Sequence, residues 1–483
     1  MAVAQKNKEV KDTHGTVYEL TSKLGQGGQG QVFTTNHHNL IVKITNPIDS
    51  DVKRHQEFAK IQWVVRRPIR DLNIALPIAV LKLKNRVGYV MELMDNLESL
   101  TQQIKRIQDS SINVSMADAY RDTGGLARRI KLLIQLAQTL AQLHGKGLCY
   151  GDLSPDNIYV STSYDHNEVW LIDADNIKTQ ESSHAASYYT PGYGAPEVLR
   201  NESENSSWTD CWAFAVIAQQ LLAHNHPYNE GIGVEDAYDD EDSDVVDEQV
   251  EQGAYAWIFD PEDDSNEHKH NGAGMPLNEL INDDLFELFK RCFADSRLRS
   301  GLYLRPSMNE WHHELNKTLQ ILMYCQHQPC QGEHFQSSFV ANNDRQCFFC
   351  GESNEPYSLS ISQFFYTTEQ IDDTSSQDID CHNTSIISLN YDKYLYTEPY
   401  SRFDLTKLSP WCELKLTDDG LHITPKNNET ITIIRLKDNK TVDIKKTRLL
   451  KIAIKRNDFY ALKISSSSSS TDNTSYFFWR FIW

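Results

Sequence analysis

The sequence predicts an α+β protein in several parts: a strand-rich opening, a helix-rich continuation, a short Cys/His segment and a β-rich tail. Three observations carry this. Apolar and polar residues alternate around a glycine cluster over Val17–Ile44. Leucines recur at helical spacing from Leu126 to Leu143. Past Tyr357, short apolar runs return between Asp-Gly, Asn-Asn and Asp-Asn turns. A chain of 483 residues is long enough for two to four such parts, at about 100–200 residues each.

Taken in order, Val17–Ile44 reads as strand, glycine turn, strand, and a further strand at Leu40–Ile44. Asp51–Val65 reads as helix, and Leu76–Leu83 and Val87–Glu92 as two strands joined by a polar turn. The long helix through Leu126, Ile130, Leu133, Leu136, Leu140 and Leu143 is stopped by Gly145 and Gly147. Short strands follow at Ile158–Val160 and Val169–Ile172, then helices at Trp212–Leu222, Leu285–Cys292 and Ser307–Leu322. The tail offers strands at Leu414–Leu416, Ile431–Leu436, Leu449–Ile454 and Tyr460–Ile464, a packed terminal strand with Trp479 and Trp483, and a Ser465–Ser470 loop. The expected boundaries are a polar tail over 1–15, a main domain over 16–322, a metal-ribbon segment over 323–355 and a β domain over 356–483.

The net charge of −20 disfavours a binder of nucleic-acid backbones. Sixteen acidic residues and no Lys or Arg fall between Glu230 and Glu267, so 229–270 is expected to be a solvated, partly disordered insertion. No apolar run is long enough to cross a membrane, and Met1–Gly15 does not resemble a secretory signal. A cytoplasmic, reducing location is therefore expected, in which clustered cysteines among the nine signal metal rather than disulfides.

Gly25-Gln26-Gly27-Gly28-Gln29-Gly30-Gln31-Val32 has the spacing Gly-x-Gly-x-x-Gly, which lets backbone approach phosphates without a Cβ clash. The chain continues as a strand rather than a helix, and the next strand carries Lys43, whose ammonium can reach α/β-phosphates under the loop. Downstream, Asp152 and Asn157 lie five apart on a loop after the long helix, suited to a substrate hydroxyl and a metal ion. Leu171-Ile172-Asp173 ends a strand on a carboxylate suited to Mg²⁺.

In that order, these residues resemble the eukaryotic-like protein kinase superfamily over about Tyr18–Leu322. The resemblance implies a bilobal fold, with a β-rich first lobe and a helical second lobe, and an ATP- and Mg²⁺- (or Mn²⁺-) dependent phosphotransferase. It implies that Gly25, Gln26, Gly27, Gly28, Gln29, Gly30, Val32 and Lys43 cradle ATP. It makes Glu57 the partner of Lys43, Glu92-Leu93-Met94 the adenine hinge after Met91, Asp152 the catalytic Asp that accepts the substrate proton, and Asn157 and Asp173 the metal ligands. Tyr150-Gly151-Asp152-Leu153 is also similar to the loop of aminoglycoside and choline phosphotransferases. The segment Thr190–Glu197, ending in Ala-Pro-Glu, favours a Ser/Thr protein kinase instead, with Thr190 bonded to Asp152 and a buried Glu197–Arg305 pair.

The chain departs from the family at Gly151, where Arg is usual, at Ser154, where Lys is usual, and at Ala174-Asp175, where Phe-Gly is usual. These keep a nucleotide-binding pseudokinase or scaffold, and a kinase of small-molecule hydroxyls, as alternatives.

Past the kinase-like part, Cys330, His334, Cys347 and Cys350 have the spacing of a structural Zn²⁺ ribbon, with Cys325 as the alternative ligand. Joined to a non-Arg catalytic loop, this is similar to kinases of bacterial stress and defence operons. Protein substrates and a partner phosphatase or other operon-encoded protein are implied. With Gly151 in place of Arg, replacing Ser182, Ser183, Ser187, Tyr188 and Tyr189 together by Ala and Phe is expected to leave autophosphorylation within about threefold. A ³²P-ATP assay with abolished transfer would show that the activation segment needs its own phosphate.

Overall fold

The computed structural model describes residues 8–26, 30–110, 115–180, 189–269, 273–297, 299–325, 327, 330, 332–335, 347–352, 358–366, 381–388, 392–396, 409–452, 458–464 and 476–483. The chain divides into two compact units: Met1–Ala119, Leu132–Gly274 and Phe289–Asn309 form the first, and Tyr120–Lys131, Met275–Leu288 and Glu310–Trp483 form the second.

The first unit opens on an antiparallel six-stranded sheet: β1 (Lys8–Lys11), β2 (Val17–Gln26), β3 (Gly30–Thr35), β4 (Leu40–Thr45), β5 (Ala79–Val80) and β6 (Gly88–Glu92), in the order β1-β2-β3-β4-β6-β5. Period-two alternation along β4 sorts its side chains. Val42 and Ile44 join Val10, Tyr18, Leu20, Leu81 and Val90 in one apolar cluster. Ile41 joins the opposite cluster with Ile61, Tyr89 and Met91, so Lys43 emerges on that face. Helix α1 (Asp51–Val65) has the predicted limits, because the Ser50 hydroxyl caps it by accepting from Lys53 N at 3.3 Å. The strand expected over Leu76–Leu83 is reduced to the two residues of β5. Pro77 has no N–H to give to a ladder.

Helices α2 (Leu100–Ser110), α3 (Met116–Asp122) and α4 (Gly125–Gly145) follow; only α4 was legible in sequence, through its leucine spacing. A small sheet orders Val169–Leu171, Ile158–Ser161 and Leu97–Ser99 side by side and sets the functional loops at its ends. After α5 (Pro196–Leu199), α6 (Ser207–Ala223) is buried along almost its whole length and starts from a reciprocal capping box between Ser206 and Thr209.

The acidic stretch corrects the expectation of a disordered insertion. It folds into α7 (Ile232–Asp240) and α8 (Ser243–Glu251), which bury Val234, Val246 and Val250. Trp257 is wholly buried, and its Nε1 donates to Gln219 Oε1 at 2.8 Å. Most of the carboxylates on the two helices are exposed, and a narrow apolar stripe is enough to seat the helices.

Glu197 on α5 and Arg305 form the expected buried pair, Nη1–Oε1 2.8 Å and Nη2–Oε2 3.2 Å, with side chains 2% and 0% exposed. Arg305 also donates to Trp208 O at 2.9 Å and Ser296 Oγ at 3.1 Å.

In the second unit, two antiparallel sheets build the β-rich tail. One has six strands in the order Cys381–Ser388, Ser358–Tyr366, Tyr476–Ile482, Phe459–Ile464, Ile431–Arg435 and Lys440–Ile444. The other has four: Asp392–Leu395, Cys412–Thr417, Gly420–Pro425 and Arg448–Lys451. Leu414, Leu421 and Ile423 from the smaller sheet share one core with Ile361, Ile433 and Leu462 from the larger. Trp411 and Trp479 meet there at 4.7 Å between ring centroids. The terminal strand is packed, as expected, and Ser465–Ser470 lies outside the described residues.

Replacing Glu197 by Ala strands a buried guanidinium, and is expected to cost the first unit about 3–5 kcal/mol. Urea denaturation followed by tryptophan fluorescence would measure it; a loss under about 1 kcal/mol would mean the pair contributes little.

Candidate active site and cysteine cluster

The sharp turn after Val169–Leu171 places two acids on one amine. Asp173 adopts the left-handed backbone region, φ 59°, so the chain reverses at once. Lys43 Nζ then lies 2.6 Å from Asp173 Oδ1 and 3.6 Å from Asp175 Oδ2. Burial pulls the Lys43 pKa down, but Asp175 and Asp173 outweigh it and the net shift is upward. The Asp173 carboxyl is pushed up, by burial first and by Asp175, against the pull of Lys43. Asp175 is almost fully buried, and its Oδ1 has no hydrogen-bond partner.

Asp152 is fixed through both carboxylate oxygens. Thr190 Oγ1 donates to Oδ1 at 2.9 Å, as the sequence predicts, and Asn176 Nδ2 donates to Oδ2 at 3.3 Å. Burial raises the Asp152 pKa, Asp173 and Asp175 add to the rise, and Thr190 opposes it. Asn157 Nδ2 donates to the Asp152 carbonyl at 2.9 Å, which leaves its amide oxygen for a cation.

The loop is held from below by Asp210 on α6. Its carboxylate accepts from Tyr150 N at 2.7 Å, Gly151 N at 2.9 Å and His144 Nε2 at 3.0 Å. Gly151 has φ 86°, a conformation a side chain would strain. Ser154 is buried, so nothing at that position reaches the cleft as a long cation would.

Above the acids, Gly25 pairs with Val32 and Gln26 with Gln31. Gly27, Gly28 and Gln29 lie outside the described residues. A Cβ on Gly30 would meet Ile44 O at 2.2 Å, so glycine is required there by strand packing. Val32, Leu93, Met94 and Ile172 are partly buried apolar side chains bordering Ile41 and Met91, a greasy wall suited to a flat heterocycle. Glu92 is exposed at the end of β6. Glu57 is half-buried on α1 and bears on the Tyr89 phenol, while the ion pairs of Lys43 run to the two aspartates. One helical turn on, Lys60 Nζ donates to Asn176 Oδ1 at 3.4 Å.

Asp175, Asn176 and Asp210 are the residues that sequence reasoning gave no role. A second carboxylate two positions past a strand-end Asp was a usable signal for the first. Three acids against one amine leave the cleft short of positive charge, and the donor set of carboxylates and an amide oxygen fits a hard divalent cation.

In the second unit, Cys325, Cys330, Cys347 and Cys350 bring their Sγ atoms within 4.8 Å of one another. Cys325–Cys350 is 3.7 Å and Cys330–Cys347 is 3.8 Å. Four sulfurs placed tetrahedrally at about 2.3 Å from one ion stand about 3.8 Å apart, so the geometry fits Zn²⁺. His327 N and Gly332 N each donate to a thiol, on Cys325 and Cys330, at 3.4 Å. Cys325, the alternative ligand in the sequence, is thus the fourth member of the cluster. His334 pairs through its backbone with Met323, and its side chain lies outside what is described. Cys149, Cys211, Cys292 and Cys412 are buried thiols outside the cluster.

Residues 18–302, more than half of the chain, match the family model for the protein kinase domain. The chain is 27% identical over 154 residues to serine/threonine-protein kinase dkf-2 of Caenorhabditis briggsae, covering 31% of this chain and 13% of that one. It is 24% identical over 295 residues to serine/threonine-protein kinase D2 of Rattus norvegicus, covering 58% and 30%. To calcium/calmodulin-dependent protein kinase type 1 of Caenorhabditis briggsae it is 24% identical over 242 residues, covering 49% and 61%. The chain therefore spans under a third of the length of the first two of these relatives.

Proposed function

Because the chain belongs to the protein kinase family, we propose that it transfers the γ-phosphate of ATP to Ser and Thr hydroxyls of proteins, its own included. The observation that carries this is the convergence of Lys43, Asp173 and Asp175 beside an Asp152 oriented through both oxygens. A nucleotide-binding scaffold has no use for an oriented Asp152. A small-molecule kinase has no use for the Ala-Pro-Glu segment tied down by Glu197–Arg305.

In this reading Val32 and Met94 sandwich adenine, Glu92 and Met94 offer backbone groups to its edge, and the glycine loop from Gly25 to Gly30 covers the phosphates. Asp173 and Asn157, with Asp175 beside them, hold Mg²⁺ or Mn²⁺, which when bound neutralises phosphate charge. Lys43 would reach the α/β-phosphates, and Glu57 is the acid on α1 that would balance it. Asp152 orients the acceptor hydroxyl and takes its proton as transfer proceeds. The missing catalytic-loop cation at Ser154 predicts slow turnover.

We further read the four cysteines as a structural Zn²⁺ site, and the join of this segment to a non-Arg catalytic loop as that of a cytoplasmic bacterial kinase partnered by an operon-encoded phosphatase. Among the described residues no helix is long and apolar enough to cross a membrane.

Asp152→Asn is expected to lower autophosphorylation with Mg-ATP about 100-fold or more while leaving nucleotide affinity within about threefold. Lys43→Met should weaken nucleotide binding itself. Unchanged ³²P incorporation in Asp152→Asn would reject the assignment. Metal analysis should find near one zinc per chain, and Cys347→Ser should drop it below about a tenth. A zinc-free wild-type protein with an intact fold would end the metal reading.

A further inference from the structure

A cavity of about 310 Å³ opens in the second unit, lined by residues of α4, the Met308–Ile321 helix, Leu322, Tyr324 and the tail strands. Two of its lining residues are Lys131 and Lys393. Neither forms an ion pair with a described residue. The carboxylate in the lining, Asp392, is taken by Lys415, Oδ1 to Nζ 3.0 Å. Lys393 Nζ donates to Gln320 O at 3.1 Å, a single neutral contact for an amine with three protons to place. Burial pushes the Lys393 pKa down to about 7, and Lys131 pushes it the same way. Among the described residues Lys393, half-buried on its strand, has no carboxylate as a counter-ion, and Lys131, exposed on α4, has none either.

The rest of the lining gives the shape of what is missing. Tyr324, Tyr394 and Tyr396 contribute three aromatic rings, and Leu322 and Ile386 close the apolar side. The volume sits at the lower end of the range for small-molecule sites, about 300–1,000 Å³. Two amines call for about two negative charges. A phosphate monoester carries about −1.5 to −2 at neutral pH, where a single carboxylate carries one. Flat rings stack on tyrosines.

We propose that this cavity binds a small phosphate monoester bearing a planar ring, with the phosphate between Lys131 and Lys393 and the ring among the three tyrosines. The inference is independent of the phosphotransfer reading, since none of these residues belongs to the cleft around Lys43.

Pyridoxal 5′-phosphate is the direct probe: phosphate, planar ring and an aldehyde that reports on a neutral amine. The aldehyde carbon condenses with Lys393 Nζ with loss of water, and added borohydride reduces the C=N bond to a stable secondary amine. Full-length protein labelled at pH 7 and mapped by peptide mass spectrometry should show Lys393 modified at least tenfold faster than the median exposed lysine, with Lys43 scored separately. Excess pyridoxamine 5′-phosphate should protect Lys393; pyridoxine, which lacks the phosphate, should not. Lys131→Ala should slow labelling at Lys393 at least fivefold. Lys131→Gln serves if the alanine variant misfolds by circular dichroism. Labelling of Lys393 no faster than surface lysines, equal protection by pyridoxine, or no effect of either Lys131 variant would overturn the proposal.

Discussion

One buried amine facing two buried carboxylates sets the terms for the first unit. Taking charges out of water is expensive, and the attraction of Lys43 for Asp173 and Asp175 repays it only while the geometry holds. Much of the surrounding structure serves that geometry. The alternation of β4 puts Lys43 on the cleft face, and the left-handed turn at Asp173 doubles the acids on one side. Asp152 adds a third carboxylate to the same field, and its raised pKa registers the crowding. An arrangement so rich in negative charge suits a divalent cation, which the proposed phosphate transfer would require.

The catalytic loop shows how the family's departures are accommodated. In place of an Arg side chain at position 151, the chain uses a left-handed glycine whose N–H donates into Asp210. Tyr150 occupies the preceding place and spends its hydroxyl on the Ile172 carbonyl, linking the loop to the strand that delivers Asp173. Asp210 therefore holds the loop in one shape through contacts to its backbone. Ser154, by contrast, has no evident replacement, because its buried side chain leaves the γ-phosphate position without the usual amine.

How much of this was legible depended on whether a feature is local. The limits of α1 follow from one serine cap, and the Gly-Lys-Asp-Asn-Asp order follows from chemistry that tolerates few residue types. Thr190 and the Glu197–Arg305 pair were legible through resemblance and agree with the geometry. The acidic stretch misled because charge density says where side chains point, not whether Val234, Val246 and Trp257 find a core beneath them. Spacing in the metal segment constrained the turn at Cys347 and Cys350 but could not rank Cys325 against His334, since either atom type can close a tetrahedron. In the tail, Ser358–Tyr366 is rich in polar residues, and pairing with Cys381–Ser388 on one side and Tyr476–Ile482 on the other, rather than composition, makes it a strand.

The two lysines with strongly shifted environments obey one rule in opposite directions. Lys43 is buried with two acids and its pKa is held up; Lys393 is half-buried with no acid paired to it among the described residues, and desolvation pushes it down to about 7. On a chain of net charge −20, the long-range field repels phosphates, so any anion that binds must be drawn by cations in places where water is scarce and the interaction is strong. The first site would meet this need with the Lys43 ammonium, held in place by Asp173 and Asp175. The second would meet it with a half-buried Lys393 and an exposed Lys131, neither paired with an acid among the described residues, so that the anion itself is the proposed partner. A partly desolvated amine without an acid beside it is costly to keep charged, and an anion that arrives from solution offsets that cost while the exposed amine guides it in.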